Sequence, residues 1–194
     1  SDLSWDLKWG FCNSLTPGSV CNNHLCSMKR IAIFASGAGT NAEKILERFK
    51  TSSSISVVLI VSNKPQAGVL QIAKNFEVPT LLLEKEIFFN GDGYASVFKE
   101  LAIDWIILAG FLWKIPPALL KGWEKKIINI HPALLPKYGG KGMYGNAVHR
   151  AVIDAKESSS GITIHYVDEQ YDHGATIFQA TCPVVENDTD RKST

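Results

Sequence analysis

A chain of 194 residues that is 45% hydrophobic and 20% charged can bury a sizeable core without disulfides or a structural metal, which excludes disorder as its main state. Its 20 Lys and Arg stand against 19 Asp and Glu, a net charge of +1. That field is too weak for non-specific nucleic-acid binding, so no nucleic-acid partner is expected and any bound anion must be held by local geometry.

Residues 1–27 come first and differ from the rest. They lack sustained periodicity, and Thr16-Pro17-Gly18 marks a turn. They have neither the basic start and apolar stretch of a secretory signal nor the arginines of a transit peptide. Cys12, Cys21 and Cys26 lie here, and only Cys182 lies elsewhere. With no CxxC pair, no zinc site is expected, and the remainder reads as a reduced, cytoplasmic protein. Met28-Lys29-Arg30 runs directly into Ile31-Ala32-Ile33-Phe34-Ala35, so the domain is expected at 28–194, behind a leader (1–27) dispensable to chemistry. His24 is read as inert.

From Met28 the pattern alternates between strands and helices. Strands are expected at 30–35, 55–61, 78–83, 104–109, 126–130, 162–167 and 176–184. Helices are expected at 41–50, with Thr40 as cap, and at 68–76, 94–102, 116–123 and 147–155. Ser52–54 and Ser158–160 read as loop runs. No apolar run approaches the roughly 20 residues that span a bilayer, so no membrane contact is expected. This order predicts an α/β fold: a Rossmann-like, mostly parallel sheet, helices on both faces, and an antiparallel edge.

Gly37-Ala38-Gly39-Thr40-Asn41-Ala42 follows the first strand and opens the first helix. Glycines admit close backbone approach, and a helix start offers N–H groups, so the loop suits a phosphate. The plain alternative is a strand-to-helix turn. A dinucleotide site would add an acid near the end of the second strand. Val61-Ser62-Asn63 has none, so NAD is disfavoured.

Asn129 and His131 alternate on a strand and share one side at its carboxyl end, where open α/β sheets place ligands. An amide beside an imidazole can polarise a carbonyl and handle a proton. A polar strand end with a satisfied histidine is the structural alternative. His165 alternates with Thr163 on a later strand and reads as support or as a neighbour of the reacting groups. His149 begins a helical turn beyond the glycine-rich loop 137–145, which has the composition of a closing loop. Lys29 and Arg30 read as a solvated strand start.

Asn129-Ile130-His131-Pro132-Ala133-Leu134-Leu135-Pro136 resembles the signature of the folate-dependent formyltransferases. Ala35-Ser36-Gly37-Ala38-Gly39-Thr40-Asn41, Val61-Ser62-Asn63-Lys64, Leu108-Ala109-Gly110-Phe111 and Tyr171-Asp172-His173-Gly174-Ala175 stand in the same order and spacing. The resemblance covers 28 to about 188 and is strongest to the branch that formylates glycinamide ribonucleotide in purine synthesis. It implies direct attack of the glycinamide ribonucleotide amine on the formyl carbon of 10-formyltetrahydrofolate, through a tetrahedral intermediate, with no metal.

On that resemblance Asn129 donates to the formyl oxygen, His131 acts as acid, and Asp172 favours the imidazolium and organises water. Taken without it, Asp172 reads as a turn aspartate. Gly39, Thr40 and Asn41 hold the ribonucleotide phosphate. Leu112, Trp113, Lys114 and Ile115 line the pterin pocket together with Asn129. Asp168, Glu169, Gln170, Tyr171 and Asp172 form its other wall. Trp113 and Lys114 depart from the smaller residue and arginine of the pattern, and Asn90-Gly91-Asp92-Gly93 stands where it has an arginine. The resemblance also implies a terminal helix whose start supplies an acid to the ribose; Asn187 to Thr194 does not carry it. The expected partners are the two small-molecule substrates, in a monomer or homodimer. A 10-formyltetrahydrofolate hydrolase and an inactive nucleotide-binding module are the competing readings.

Overall fold

The computed structural model describes residues 28–184. The expected leader, with His24, Cys12, Cys21 and Cys26, lies outside the described residues, as do residues 185–194 and the expectations placed on them.

Strand β1 (Lys29–Phe34) shows how this sequence makes layers. Its side chains alternate. Ile31 and Ile33 enter one core with Ala42 and Leu46 of α1 (Thr40–Phe49) and Val69 and Ala73 of α2 (Gly68–Asn75). Ala32 and Phe34 enter a second core on the opposite face. There they meet Phe88 of α3 (Lys85–Asn90), Phe98 of α4 (Ala95–Glu100) and Leu119 of α5 (Pro117–Gly122). Both faces of the strand are apolar because both are covered.

The seven strands lie in the order β3-β2-β1-β4-β5-β6-β7. Strands β2 (Ile55–Ser62), β3 (Thr80–Leu82), β4 (Trp105–Leu108) and β5 (Ile127–His131) join β1 in parallel. After helix α6 (Asn146–Asp154), β6 (Ser159–Tyr166) and β7 (Thr176–Pro183) add an antiparallel edge. The expected fold class therefore stands. No helix among the described residues is long and apolar enough to cross a membrane.

Local departures have local causes. Ser159 and Ser160, expected in a loop, begin β6, because their backbones pair with Pro183 and Cys182 and a ladder makes no demand on side-chain type. Helix α3 was not foreseen; its single turn and a half is too short to show a period. Thr40 does not cap α1. Gly39 occupies the cap position with φ +85°, no side chain caps this end, and the Gly39 carbonyl accepts the Glu43 N–H at 2.8 Å. A Cβ at Gly39 would lie 2.7 Å from the Cβ of Val69. Both the left-handed backbone and the close approach to α2 therefore require glycine.

Candidate active site

Antiparallel pairing of β5 with β6 sets Asn129 opposite His165 and His131 opposite Thr163. Alternation on both strands puts all four on one side. Asp172 then enters from the Tyr171-Asp172-His173-Gly174 turn between β6 and β7. Its φ is +53°, and Gly174 lies against the Tyr166 carbonyl where a Cβ would not fit. The left-handed residue and the glycine together turn the carboxylate inward, a backbone state that side chains like Asp tolerate better than most.

The result is a buried polar cluster. Asp172 Oδ1 lies 3.3 Å from Asn129 Nδ2, 3.5 Å from His131 Nδ1 and 3.5 Å from His165 Nε2. Its other oxygen accepts the Gly140 N–H at 2.9 Å. Both histidines are only 2% exposed. Burial pushes the Asp172 carboxyl up. Its contacts with His131, His165 and the Gly140 N–H, with the charge of His131, outweigh it and hold the group well below the usual carboxylate range.

Each ring has a fixed second partner. His131 Nε2 donates to the Tyr138 carbonyl at 2.9 Å, so Nδ1 faces the carboxylate. His165 Nδ1 donates to the Tyr166 carbonyl at 2.8 Å. With Nδ1 so engaged, His165 Nε2 accepts from Asn129 Nδ2, 3.1 Å away. The Asn129 amide thus has both hydrogens engaged, one on His165 and one on Asp172, which fixes its plane. The structure brings Asn129, His131 and Asp172 together from 43 residues of chain separation.

The loop 137–145 closes this cluster. Tyr138, at φ +57°, covers His131 with its carbonyl, and its hydroxyl donates to Glu157 Oε1 at 2.9 Å. Lys137 reaches the same oxygen at 2.9 Å. Hydrogen bonds from Lys137 and then Tyr138 hold the Glu157 carboxyl below its ordinary value. The sequence marks Tyr138 and Gly140 only as members of the glycine-rich loop 137–145, since both act through backbone atoms that side-chain chemistry does not advertise. The register of β6 on β5 gives His165 contact with Asn129 and Asp172, the neighbouring role that its alternation with Thr163 allows.

Of the other candidates, Lys114, Ile115 and Glu169 line a hollow, and Gly39, Thr40 and Asn41 follow the lining of another. One, of about 530 Å³, is lined by 36–38 and 64–68, including Lys64, beside the start of α1. Gly39, Thr40 and Asn41 form the next turn of chain, with Thr40 and Asn41 exposed. A second, of about 210 Å³, is lined by Lys114, Ile115 and Glu169 with Phe89, Pro116 and Leu120 among others. Segments 112–115 and 168–172 also meet where Lys114 Nζ sits 5.7 Å from the centre of the Tyr171 ring.

Trp113 turns away into an aromatic cluster, 5.6 Å from Phe88 and 5.3 Å from Phe89 between ring centres. The Leu112 N–H donates to Ser36 Oγ. Asp168 takes the Gln170 N–H at 2.8 Å and lies 3.2 Å from His173 Nδ1, a turn-stabilising arrangement. Asp168 and Gln170 thus hold the backbone of their own turn.

The family model described as Formyl transferase matches residues 29–194. The chain belongs to this family. It is 40% identical over 174 residues to a chloroplastic phosphoribosylglycinamide formyltransferase of Arabidopsis thaliana, covering 87% of this chain and 60% of that protein. With the phosphoribosylglycinamide formyltransferase of Bacillus subtilis it shares 38% over 167 residues, 84% of this chain and 83% of the relative. The crystal structure of phosphoribosylglycinamide formyltransferase from Bacillus halodurans superposes with a TM-score of 0.74 at 38% identity, covering 84% of each chain. The chain spans 60% of the Arabidopsis relative and 53% of its Vigna unguiculata counterpart. Within the formyltransferase family, the Asn-x-His-Pro strand end and the Asp-bearing turn now have a spatial meaning: they are neighbours in one cluster.

Proposed function

We propose that this chain transfers the formyl group of 10-formyltetrahydrofolate to the amine of glycinamide ribonucleotide, by direct attack through a tetrahedral intermediate. The observation that carries the reading is the convergence of Asn129, His131 and Asp172 at the strand ends. Relatives named phosphoribosylglycinamide formyltransferase support the choice of substrates. The hollow of about 210 Å³ suits the folate's ring: it offers apolar walls from Phe89, Ile115 and Leu120 with an acid and a base at its edge, Glu169 and Lys114.

The residues divide the work by position. Asp172 stays ionised at neutral pH and faces His131 Nδ1, so it stabilises positive charge on that ring and fixes its orientation. His131 Nε2 exchanges its bond to the Tyr138 carbonyl for one to the formyl oxygen as negative charge builds there. Asn129 reaches the same oxygen by releasing one of its two engaged hydrogens. Gly39, Thr40 and Asn41 offer first-turn N–H groups to the ribonucleotide phosphate. Leu112, Trp113, Lys114 and Ile115 bind the folate with backbone groups, opposite Asp168, Glu169, Gln170, Tyr171 and Asp172. No metal enters this scheme. We place the protein in a reducing compartment, the cytoplasm, on its sparse cysteines after residue 27, acting on small molecules as a monomer or homodimer.

The test is turnover of both substrates by the chain of 194 residues, followed by release of deformylated folate. The expected result is folate release that requires glycinamide ribonucleotide. Formate release without the ribonucleotide would instead establish a hydrolase. Ribonucleotide binding without folate binding would establish a non-catalytic module.

A further inference from the structure

Ser36 lies two residues beyond the end of β1, in the turn toward α1, and is only 3% exposed. Its hydroxyl is used twice. It donates to Asn63 Oδ1 at 2.6 Å and accepts the Leu112 N–H at 2.9 Å. Its own N–H donates to the Gly110 carbonyl at 3.0 Å. The two hydroxyl partners lie 27 and 76 residues away. Asn63 follows the end of β2 and leads into 64–68, one wall of the larger hollow, while Ser36 to Ala38 form the other wall. A further link, Val69 N–H to the Gly37 carbonyl at 3.2 Å, closes these walls at the start of α2. Leu112 begins the segment that continues through Lys114 and Ile115 to the smaller hollow. One buried hydroxyl therefore touches the frames of both hollows.

We propose that Ser36 is a positioning residue that couples the two substrate subsites: it holds the ribonucleotide wall at Asn63 and the folate wall at Leu112 in one register. The inference rests on the proposed function for the identity of the two ligands, and on the hydrogen bonds alone for the coupling. The chemistry suits a strap of this kind. A hydroxyl can donate and accept at once, so a shift of Asn63 is passed to Leu112 through a single oxygen. Burial makes both bonds costly to leave unmade, so the two walls move together. An ordinary buried serine satisfied within its own strand would lack this reach.

Two readouts separate coupling from mere stability. The first needs no ligand. Amide hydrogen exchange at Leu112, followed by NMR, should quicken by about 5- to 30-fold in Ser36→Ala, the factor that one or two kcal/mol represents. Exchange in α1 should stay unchanged. Asn63→Asp keeps an acceptor for the Ser36 hydroxyl and should stay close to wild type, whereas Asn63→Leu should follow Ser36→Ala. The second readout titrates glycinamide ribonucleotide and a non-transferable 10-formyl folate analogue, each alone and each with the other saturating. In the wild type each ligand should tighten the other by about fivefold or more, and equally in both directions. In Ser36→Ala that factor should fall to about one. Unchanged exchange at Leu112 in Ser36→Ala, or a coupling factor that survives the substitution, overturns the proposal. Failure of the wild type to bind either ligand would instead overturn the proposed function, and the exchange measurement would still decide whether Ser36 joins the two walls.

Discussion

The parallel half of the sheet and its antiparallel edge are built on different principles. In β1, β2 and β4 the buried positions are almost all aliphatic or aromatic: Ile33, Phe34, Ile60, Val61 and Ile106 are fully enclosed, with the polar Ser62 at the end of β2 and Ser36 in the turn after β1. Where the sheet turns antiparallel, from the pairing of β5 with β6 onward, the buried positions include His131, Ser160, Thr163 and His165. Thr163 is tied three ways, to the Ala133 carbonyl, the Leu135 N–H and the Gln179 amide, and so pins the Pro132 to Pro136 turn. One region is held by apolar area, which is tolerant of detail. The other is held by directional bonds, each of which fails if one partner is lost. The difference teaches that the proposed chemistry lies where directional polar bonds replace aliphatic packing, beside strands held by apolar burial.

Substitutions should therefore separate into losses of turnover at the edge and losses of stability in the parallel half. The largest effect expected is on His131. His131→Ala should lower kcat by about 10²- to 10⁴-fold with a much smaller change in KM, because the bond proposed from His131 to the formyl oxygen would strengthen in the transition state. Steady-state kinetics check this, and a rise in KM alone would make His131 a binding residue. Phe34→Ala, in the opposite region, should destabilise by about 3–5 kcal/mol in urea titrations, since the ring packs 5.5 Å from Phe98 and 5.2 Å from Phe111. Should the surviving folded fraction also lose its turnover per site, the division between the regions is wrong.

Gly39→Ala should cost about 1–3 kcal/mol, because alanine meets both the positive φ and the Val69 side chain. It should also weaken phosphate-bearing ligands more than folate. The pH dependence sharpens the contrast further. Asp172 has its folded pKa depressed, so its contribution to stability is present above the ordinary carboxylate value of about 3.9 and is lost as pH falls through and below that value. Thermal melts between pH 6 and 2 should show a shallower acid decline in Asp172→Asn than in the wild type. Parallel declines would mean that other carboxylates dominate. The smallest effect belongs to Cys182, exposed on β7: Cys182→Ser should change stability by less than about 0.5 kcal/mol and leave turnover intact.

Much of this protein is legible in its residues one segment at a time. Apolar runs of strand length separated by helical periods decide the α/β class, because alternation and the 3.6-residue period are local signals that survive any packing. The glycine turn at Gly37 to Gly39 is legible for the same reason, and the alternation of Asn129 with His131 puts both on one side before any partner is known. Asp172 is legible only through the family resemblance, since an aspartate before His-Gly in a turn looks like turn chemistry. The tertiary structure alone decides what lies far apart in the chain. It sets Asp172 against Asn129 and both histidines, closes Tyr138 and Gly140 over them through backbone atoms, draws Ser159 and Ser160 into β6, and lets Ser36 meet Leu112 across 76 residues. Those contacts depend on strand register and on left-handed residues in two turns, and neither leaves a period in the sequence.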